Sequence, residues 1–294
     1  HVTGVQTCAL PISDYASTMA SRFCDTLLRH GTTSALVFCT VFPSSVDALF
    51  DAARRRGMRL IAGKVLMDRH APPALCDTAQ SAYDASKALI ARWHGQDRLH
   101  YAITPRFAPA SSPEQLDLAG ALWAEHPGVY VHSHLAENAD EVAWVRTLFP
   151  EHESYLDVYD AFGLTGRRAV YAHGIHLSDT ELCTCHYTGT ALAHCPTSNL
   201  FLGSGLFDLG RVTQAERPVH VGLGTDIGAG TSFSMLATMG EAYKVAQLTG
   251  SPLDGARAWY LATLGAARAL DLDAHIGSID RKSTRLNSSH VKRS

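Results

Sequence analysis

Val129-Tyr130-Val131-His132-Ser133-His134-Leu135-Ala136-Glu137-Asn138 passes from an apolar strand through two histidines into an acid. Side chains alternate across a strand, so Tyr130, His132 and His134 share one face while Val129, Val131 and Ser133 share the other. His134 stands at the carboxyl end of the strand and Glu137 in the turn just after it. Barrels and open parallel sheets carry their chemistry at that end. If this is a parallel strand, its neighbours must repeat the same strand-then-helix unit.

They do. Near-continuous apolar strands are predicted at 33–38, 60–66, 99–104, 169–173, 190–195 and 220–226. Helical spacing fills the gaps at 16–30, 43–57, 73–93, 113–125, 139–148, 155–162 and 179–187, and two helices, 233–248 and 253–270, close the body. Ser112-Pro113-Glu114 reads as a cap, and Gly31 and Gly57 as helix ends. With the opening stretch this makes strands near 35, 62, 101, 131, 171, 192 and 222, which points to an α/β chain, a (β/α)8 TIM barrel short of one strand. The regular pattern opens on a helix, so the absent strand is expected to be the first, upstream of Ala16. A doubly wound open sheet is the alternative.

Composition narrows the class. A chain of 294 residues, 46% hydrophobic, has the material for one large domain. The net charge of −3, with no basic run in the body, argues against a nucleic-acid partner or an anionic membrane and favours a small, weakly polar one. No apolar run reaches the roughly 18 residues of a membrane span, and no basic-then-apolar leader opens the sequence. Of the seven cysteines, Cys183 and Cys185 form a C-x-C that matches neither a zinc ribbon nor a redox C-x-x-C motif. Reduced thiols in a cytoplasmic protein are expected, with Cys39 and Cys195 in the core. Residues 1–13 (HVTGVQTCALPIS) lack any period, and 281–294 (RKSTRLNSSHVKRS) turn abruptly polar and basic. Both read as non-native or disordered tails around a domain of residues 14–280.

The polar residues at strand ends form a set. Arg106 and Phe107 follow the strand near 101, His134 and Glu137 the one near 131; His173 ends the next and Asp226 the last. In a parallel barrel these positions converge at one mouth. Two histidines and a carboxylate suit Zn²⁺, or Fe²⁺ as the alternative, with a position left open for water. Such an ion lowers the pKa of bound water from about 15.7 towards about 7, which predicts hydrolysis. Glu137 reads either as a helix-start acid favoured by the helix dipole or as a proton carrier. Arg106-Phe107 is either a loop ion pair beside a core ring or a stacking face with a fork of donors for a flat polar ring. His132, His176, His194 and His220 are read as hydrogen-bonded structural residues.

The segments Ile103-Thr104-Pro105-Arg106-Phe107-Ala108-Pro109, His132-Ser133-His134-Leu135-Ala136-Glu137-Asn138, Ala172-His173-Gly174, His194-Cys195-Pro196-Thr197-Ser198-Asn199-Leu200 and Gly222-Leu223-Gly224-Thr225-Asp226-Ile227-Gly228-Ala229-Gly230 resemble the amidohydrolase superfamily, and within it the guanine deaminases. Residues 63–69 and 203–207 support the likeness. It implies a barrel of the metal-dependent hydrolase type, with His134, His173 and Asp226 as metal ligands and Asp226 also as acceptor of a proton from water. It implies that Glu137 moves protons, and that Arg106 and Phe107, beside His134, Glu137 and His173, hold the purine. Guanine would be converted to xanthine and ammonia, and the family habit suggests a homodimer. Three departures stand out. The family's His-x-His pair on the first strand is absent, as is the later segment that completes an accessory β-sandwich, and Phe42 stands where a histidine is expected before Pro43. The remaining readings are an aminohydrolase of the same superfamily acting on another purine, a pyrimidine or a triazine, an inactive fragment, and a non-catalytic barrel. The cytidine-deaminase route is disfavoured because its H-x-E and P-C-x-x-C elements are missing.

Overall fold

A computed structural model of the chain describes residues 13–279. Residues 1–12 and 280–294, which hold nearly all of both expected tails, lie outside the described residues. In chain order the elements are α1 (Ser13–Arg29), β1 (Ser34–Phe38), α2 (Pro43–Arg55), β2 (Arg59–Gly63), β3 (Val65–Leu66), α3 (Ala79–Trp93), β4 (Leu99–Pro105), α4 (Pro113–Glu125), β5 (Tyr130–Leu135), α5 (Ala139–Leu148) and α6 (Tyr155–Ala161). Then follow β6 (Ala169–His173), α7 (Asp179–Thr188), β7 (Ala191–His194), α8 (Pro196–Leu202), α9 (Leu209–Val212), β8 (Val221–Leu223), α10 (Met235–Leu248), α11 (Gly255–Ala262) and α12 (Leu264–Ala269).

Every strand pair is parallel, in the order β1-β2-β4-β5-β6-β7-β8, with the short β3 pairing β4. All seven strands expected from sequence are present, and they make a partial (β/α)8 barrel. Among the described residues no ladder joins β8 to β1, so the arc is open there. The open side leaves its mark on β1, whose Ser-Ala-Leu-Val-Phe is only partly buried at every position, whereas β6 is buried throughout. The helical layer reaches across that side. Phe23 of α1 and His30 just after it pack on Phe233, just before α10, with ring centroids 6.0 and 5.9 Å apart.

The two faces of the arc separate as alternation requires. Leu60, Ile103, Val131, Leu135, Tyr171 and Leu192 join the main core beneath the helices. Ile61, Ala102 and Tyr130 face inward, against Leu270, Leu272 and Ile276 from the segment that follows α12. Tyr130 Oη donates to the carbonyl of Leu270 at 2.7 Å, which ties that segment into the foot of the arc. Removing a ring so enclosed costs about 3–5 kcal/mol.

Several boundaries differ from expectation, each for a local reason. Ser13, assigned to the tail, opens α1. The helix expected over 73–93 is a 3-10 turn at Pro73–Leu75 followed by α3, which starts afresh at Thr78 through a reciprocal capping box with Ser81. The helix expected over 253–270 breaks at Thr263, whose φ of −127° and ψ of −94° are not helical. The strand expected over 220–226 ends at Leu223, because the chain turns into a left-handed residue at Asp226. The helices α8 and α9 are too short for the sequence pattern to predict.

At the foot of the arc, burial pushes the His100 imidazole down to about 4, helped by His94, Arg59, Arg168 and His275. A depressed imidazole stays neutral when folded and takes up its proton on unfolding near pH 6.5, so the stability it contributes is present above that pH and is lost as the pH falls towards 4. Unfolding by denaturant at a series of pH values is expected to show a loss of about 3 kcal/mol from this residue alone over that interval. His100→Gln should flatten that part of the slope.

Candidate active site

The carboxyl ends of β4, β5 and β6 bring the expected residues together. The His134 N–H donates to the carbonyl of Arg106 at 3.2 Å, and its Nδ1 lies 2.7 Å from the same oxygen. A carbonyl can only accept, so Nδ1 carries the proton and Nε2 the lone pair. Tyr159 Oη donates to His134 O at 3.0 Å, and Ser133 Oγ lies 2.9 Å from that hydroxyl on the helix-facing side of the strand. Inside the arc Phe38 packs on His132 and His134, with centroids 4.1 and 4.7 Å apart.

His173 reaches the mouth against the strand's own alternation. By parity it belongs with Ala169 and Tyr171, which face the helices. Its φ of +76° re-aims the end of β6, and its ring stacks on His134 with centroids 5.3 Å apart. Its Nδ1 lies 2.8 Å from the Asn199 amide and its Nε2 3.7 Å from Glu137 Oε2; that Nε2 is buried without a hydrogen-bond partner. Burial, reinforced by His134 and opposed by Asp226 and Asn199, pushes His173 down to about 3. Burial likewise holds His132 well below its ordinary value and His194 at about 3. All three imidazoles are therefore neutral at pH 7, the form that ligates metals.

Asp226 lies three residues past β8 with φ +46°. Its turn is closed by the Gly230 N–H donating to Asp226 O at 2.6 Å, and a Cβ at Gly230 would stand 1.9 Å from Thr225 O, so glycine is required. Ala136, with φ +47°, makes a third left-handed residue at the mouth beside His173 and Asp226. Such strain costs about 1–3 kcal/mol per residue and persists where surrounding structure imposes it, typically at functional sites. Glu137 follows Ala136 half-buried, and its Oε1 accepts a hydrogen bond from Ser204 Oγ at 3.0 Å.

The structure brings His134, His173 and Glu137 into one cluster, with the Asp226 charge felt by both His173 and Cys195. Among the described residues, no three His, Cys, Asp or Glu side chains converge closely enough to hold an ion. Asp226 sits in a loop beyond the three-residue β8, at the open edge of the arc, so no ladder among the described residues fixes it from the far side. The donor chemistry nevertheless fits a divalent cation: the Arg106 carbonyl sets the His134 Nε2 lone pair, the Asp226 carboxylate acts on His173, and His173 Nε2 offers a lone pair once the Asn199 amide turns its unpaired Oδ1 to accept from Nδ1–H.

Beside this cluster, Arg106 is partly buried, which lowers its pKa. Its guanidinium lies 5.9 Å from the Phe107 ring centroid and its Nη1 3.8 Å from Met67 Sδ. Phe107 meets Trp144 edge-on at 6.0 Å and packs with Val41, Val65, Met67, Ala110 and Phe42. The result is an apolar wall with one fork of donors. Of the histidines read as structural, His194 is buried and stacked on Phe207 at 4.5 Å, His220 is exposed, and His132 is buried with Nδ1 unpaired. His176, itself exposed, holds the carbonyl of Ser204 through Nε2 at 2.9 Å.

Sequence reasoning missed Asn199 and Ser204, which contact His173 and Glu137 from α8 and its cap. Pro196 at the first helical position and Gly203 with φ +69° at the end are the punctuation that marks this seven-residue helix.

Residues 10–283 match the model of the amidohydrolase family. The chain belongs to the amidohydrolase family. This amidohydrolase is 57% identical over 265 residues to guanine deaminase of Escherichia coli K12, covering 90% of this chain and 60% of that protein. The solved structure of E. coli guanine deaminase superposes with a TM-score of 0.89 at 56% identity, over 91% of this chain and 62% of that one. Guanine deaminase from C. acetobutylicum, solved with guanine bound in its active site, gives 0.85 at 31% identity over 91% and 65%. The chain thus spans about three fifths of the length of the curated relatives it matches. The family inferred from the strand-end motifs and the barrel class inferred from alternating strands and helices are both confirmed.

Proposed function

We propose that the amidohydrolase carrying this sequence deaminates guanine by hydrolysis to xanthine and ammonia. The observation that carries the reading is the 57% identity with E. coli guanine deaminase over 265 residues, a span that includes every strand end described above. His134, His173 and Asp226 are the residues that would hold a divalent ion, zinc or iron. When bound, that ion supplies water acidified to near neutral pH as the nucleophile. Asp226 accepts a proton from the attacking water, and Glu137 delivers protons to the purine ring nitrogen and to the departing amine as the C2–O bond forms and the C2–N bond breaks. Arg106 presents donors to the purine edge while Phe107, backed by Trp144, offers a stacking face and excludes water. Among the described residues no helix is long and apolar enough to cross a membrane. The free thiols, with Cys39 pushed up to about 12 by burial, suit a reducing cytoplasm.

The substrate is tested by comparing ammonia release from guanine, adenine and cytosine with the metal-loaded full-length protein. Guanine is expected to be the preferred substrate. Arg106→Ala should raise KM for guanine about 10- to 100-fold, the usual loss for a charge-assisted hydrogen bond. A preference for adenine or cytosine would move the assignment to another aminohydrolase of the family.

A further inference from the structure

Glu137 has two oxygens in different surroundings. Oε2 faces His173 Nε2 at 3.7 Å, and Oε1 accepts from Ser204 Oγ at 3.0 Å, across 67 residues of sequence. Ser204 is 7% exposed and fixed at each of its polar groups. Its N–H donates to Asn199 O at 2.9 Å, its carbonyl is held by His176 Nε2 at 2.9 Å, and its hydroxyl goes to Glu137. The next residue, Gly205, has φ +131°, and a Cβ there would stand 3.0 Å from Ile175 Cγ2 and 3.5 Å from the His176 ring. The loop after α8 therefore packs closely against the loop after β6.

A glutamate side chain in a turn has three rotatable bonds, and the strained Ala136 fixes only the backbone that leads to it. One hydrogen bond from an immobile donor removes that freedom and selects which oxygen is left to react. The same helix supplies Asn199 to His173, so α8 and its cap orient both partners of the Glu137–His173 pair.

We infer that Ser204 is the positioning residue for Glu137, anchoring Oε1 so that Oε2 is the oxygen that moves protons. The inference rests on the deamination proposed above. In the metal-loaded full-length protein, Ser204→Ala is expected to lower kcat about 10- to 100-fold, part of the 10²–10⁴ that a positioned acid–base group supplies. KM, metal content and Tm should stay close to those of the parent protein. Ser204→Thr, which keeps the hydroxyl, should restore most of the rate. In a Glu137→Gln background Ser204→Ala should cost little more, because the two changes act on one function.

A kcat unchanged by Ser204→Ala, a loss carried by KM instead, no recovery with Ser204→Thr, or additive losses with Glu137→Gln would each overturn the assignment. A readout independent of turnover is the crystal structure of the Ser204→Ala protein beside its parent. The Glu137 carboxylate should leave its single position, and an unmoved, equally ordered carboxylate would contradict the role. A parent protein that releases no ammonia from guanine overturns the proposed activity instead, and the crystallographic comparison then decides the role of Ser204 by itself.

Discussion

Glu137→Gln is expected to reduce kcat for guanine by about 10² to 10⁴ while metal content and thermal stability hold. The substitution is nearly isosteric, and the glutamine carbonyl oxygen can still accept from Ser204 Oγ, so the loop contacts survive. What disappears is the ability to take and release a proton at the atom that faces His173. The residue is half-buried at the start of α5 and outside the proposed ligand set, so its loss leaves the ion in place. Steady-state kinetics alongside elemental analysis of the same preparations check this. A variant that loses its metal together with its activity would make Glu137 a ligand rather than a proton carrier.

His173→Ala should abolish stoichiometric metal binding and with it turnover. The ring is buried, neutral and stacked on His134, and its Nε2 makes no hydrogen bond within the protein, which suits the proposed ligand role. The cost to the apoprotein's fold is a balance of opposing terms. Losing the ring leaves a cavity and an Asn199 amide without its partner, which destabilises, while an unsatisfied buried nitrogen is removed, which stabilises. Alanine in the left-handed conformation keeps the backbone strain. The discriminating measurement is the rise in Tm on adding zinc or iron. The parent protein should show one, because an ion that binds only the folded state stabilises it, and His173→Ala should show none. An undiminished rise in the variant would remove His173 from the ligand set.

The fold was legible because its signal is periodic. The apolar runs near 101, 131, 171 and 222 lead into the polar residues Arg106, His134, His173 and Asp226, and the two-residue period puts Tyr130, His132 and His134 on one face of β5, which is the inward one. Where a single backbone angle decides, sequence pattern fails. Period-two reasoning sends His173 to the helices, and only its positive φ returns it to the mouth. The expected strand over 220–226 overshoots β8 for the same reason, since the run through Thr225 is extended in composition but turns at Asp226. Short elements are also invisible to periodicity. The helix α8 spans seven residues, too few for an apolar stripe to repeat, yet it carries Asn199 and leads to Ser204. The Ser204–Glu137 bond joins positions 67 apart through tertiary packing alone, and no local spacing announces it.

The strand-end residues His134, Glu137, His173 and Asp226 are proposed to make a metal-dependent guanine deaminase of the protein that carries them. The most direct test is to follow xanthine and ammonia released from guanine by the full-length protein as purified, after removal of metal by a chelator, and after zinc or iron is restored. The loaded protein is expected to release both products, to stop with the chelator and to resume with the ion restored; the opposite pattern contradicts the proposed activity. Failure to release xanthine from guanine with a stoichiometric ion bound would contradict it.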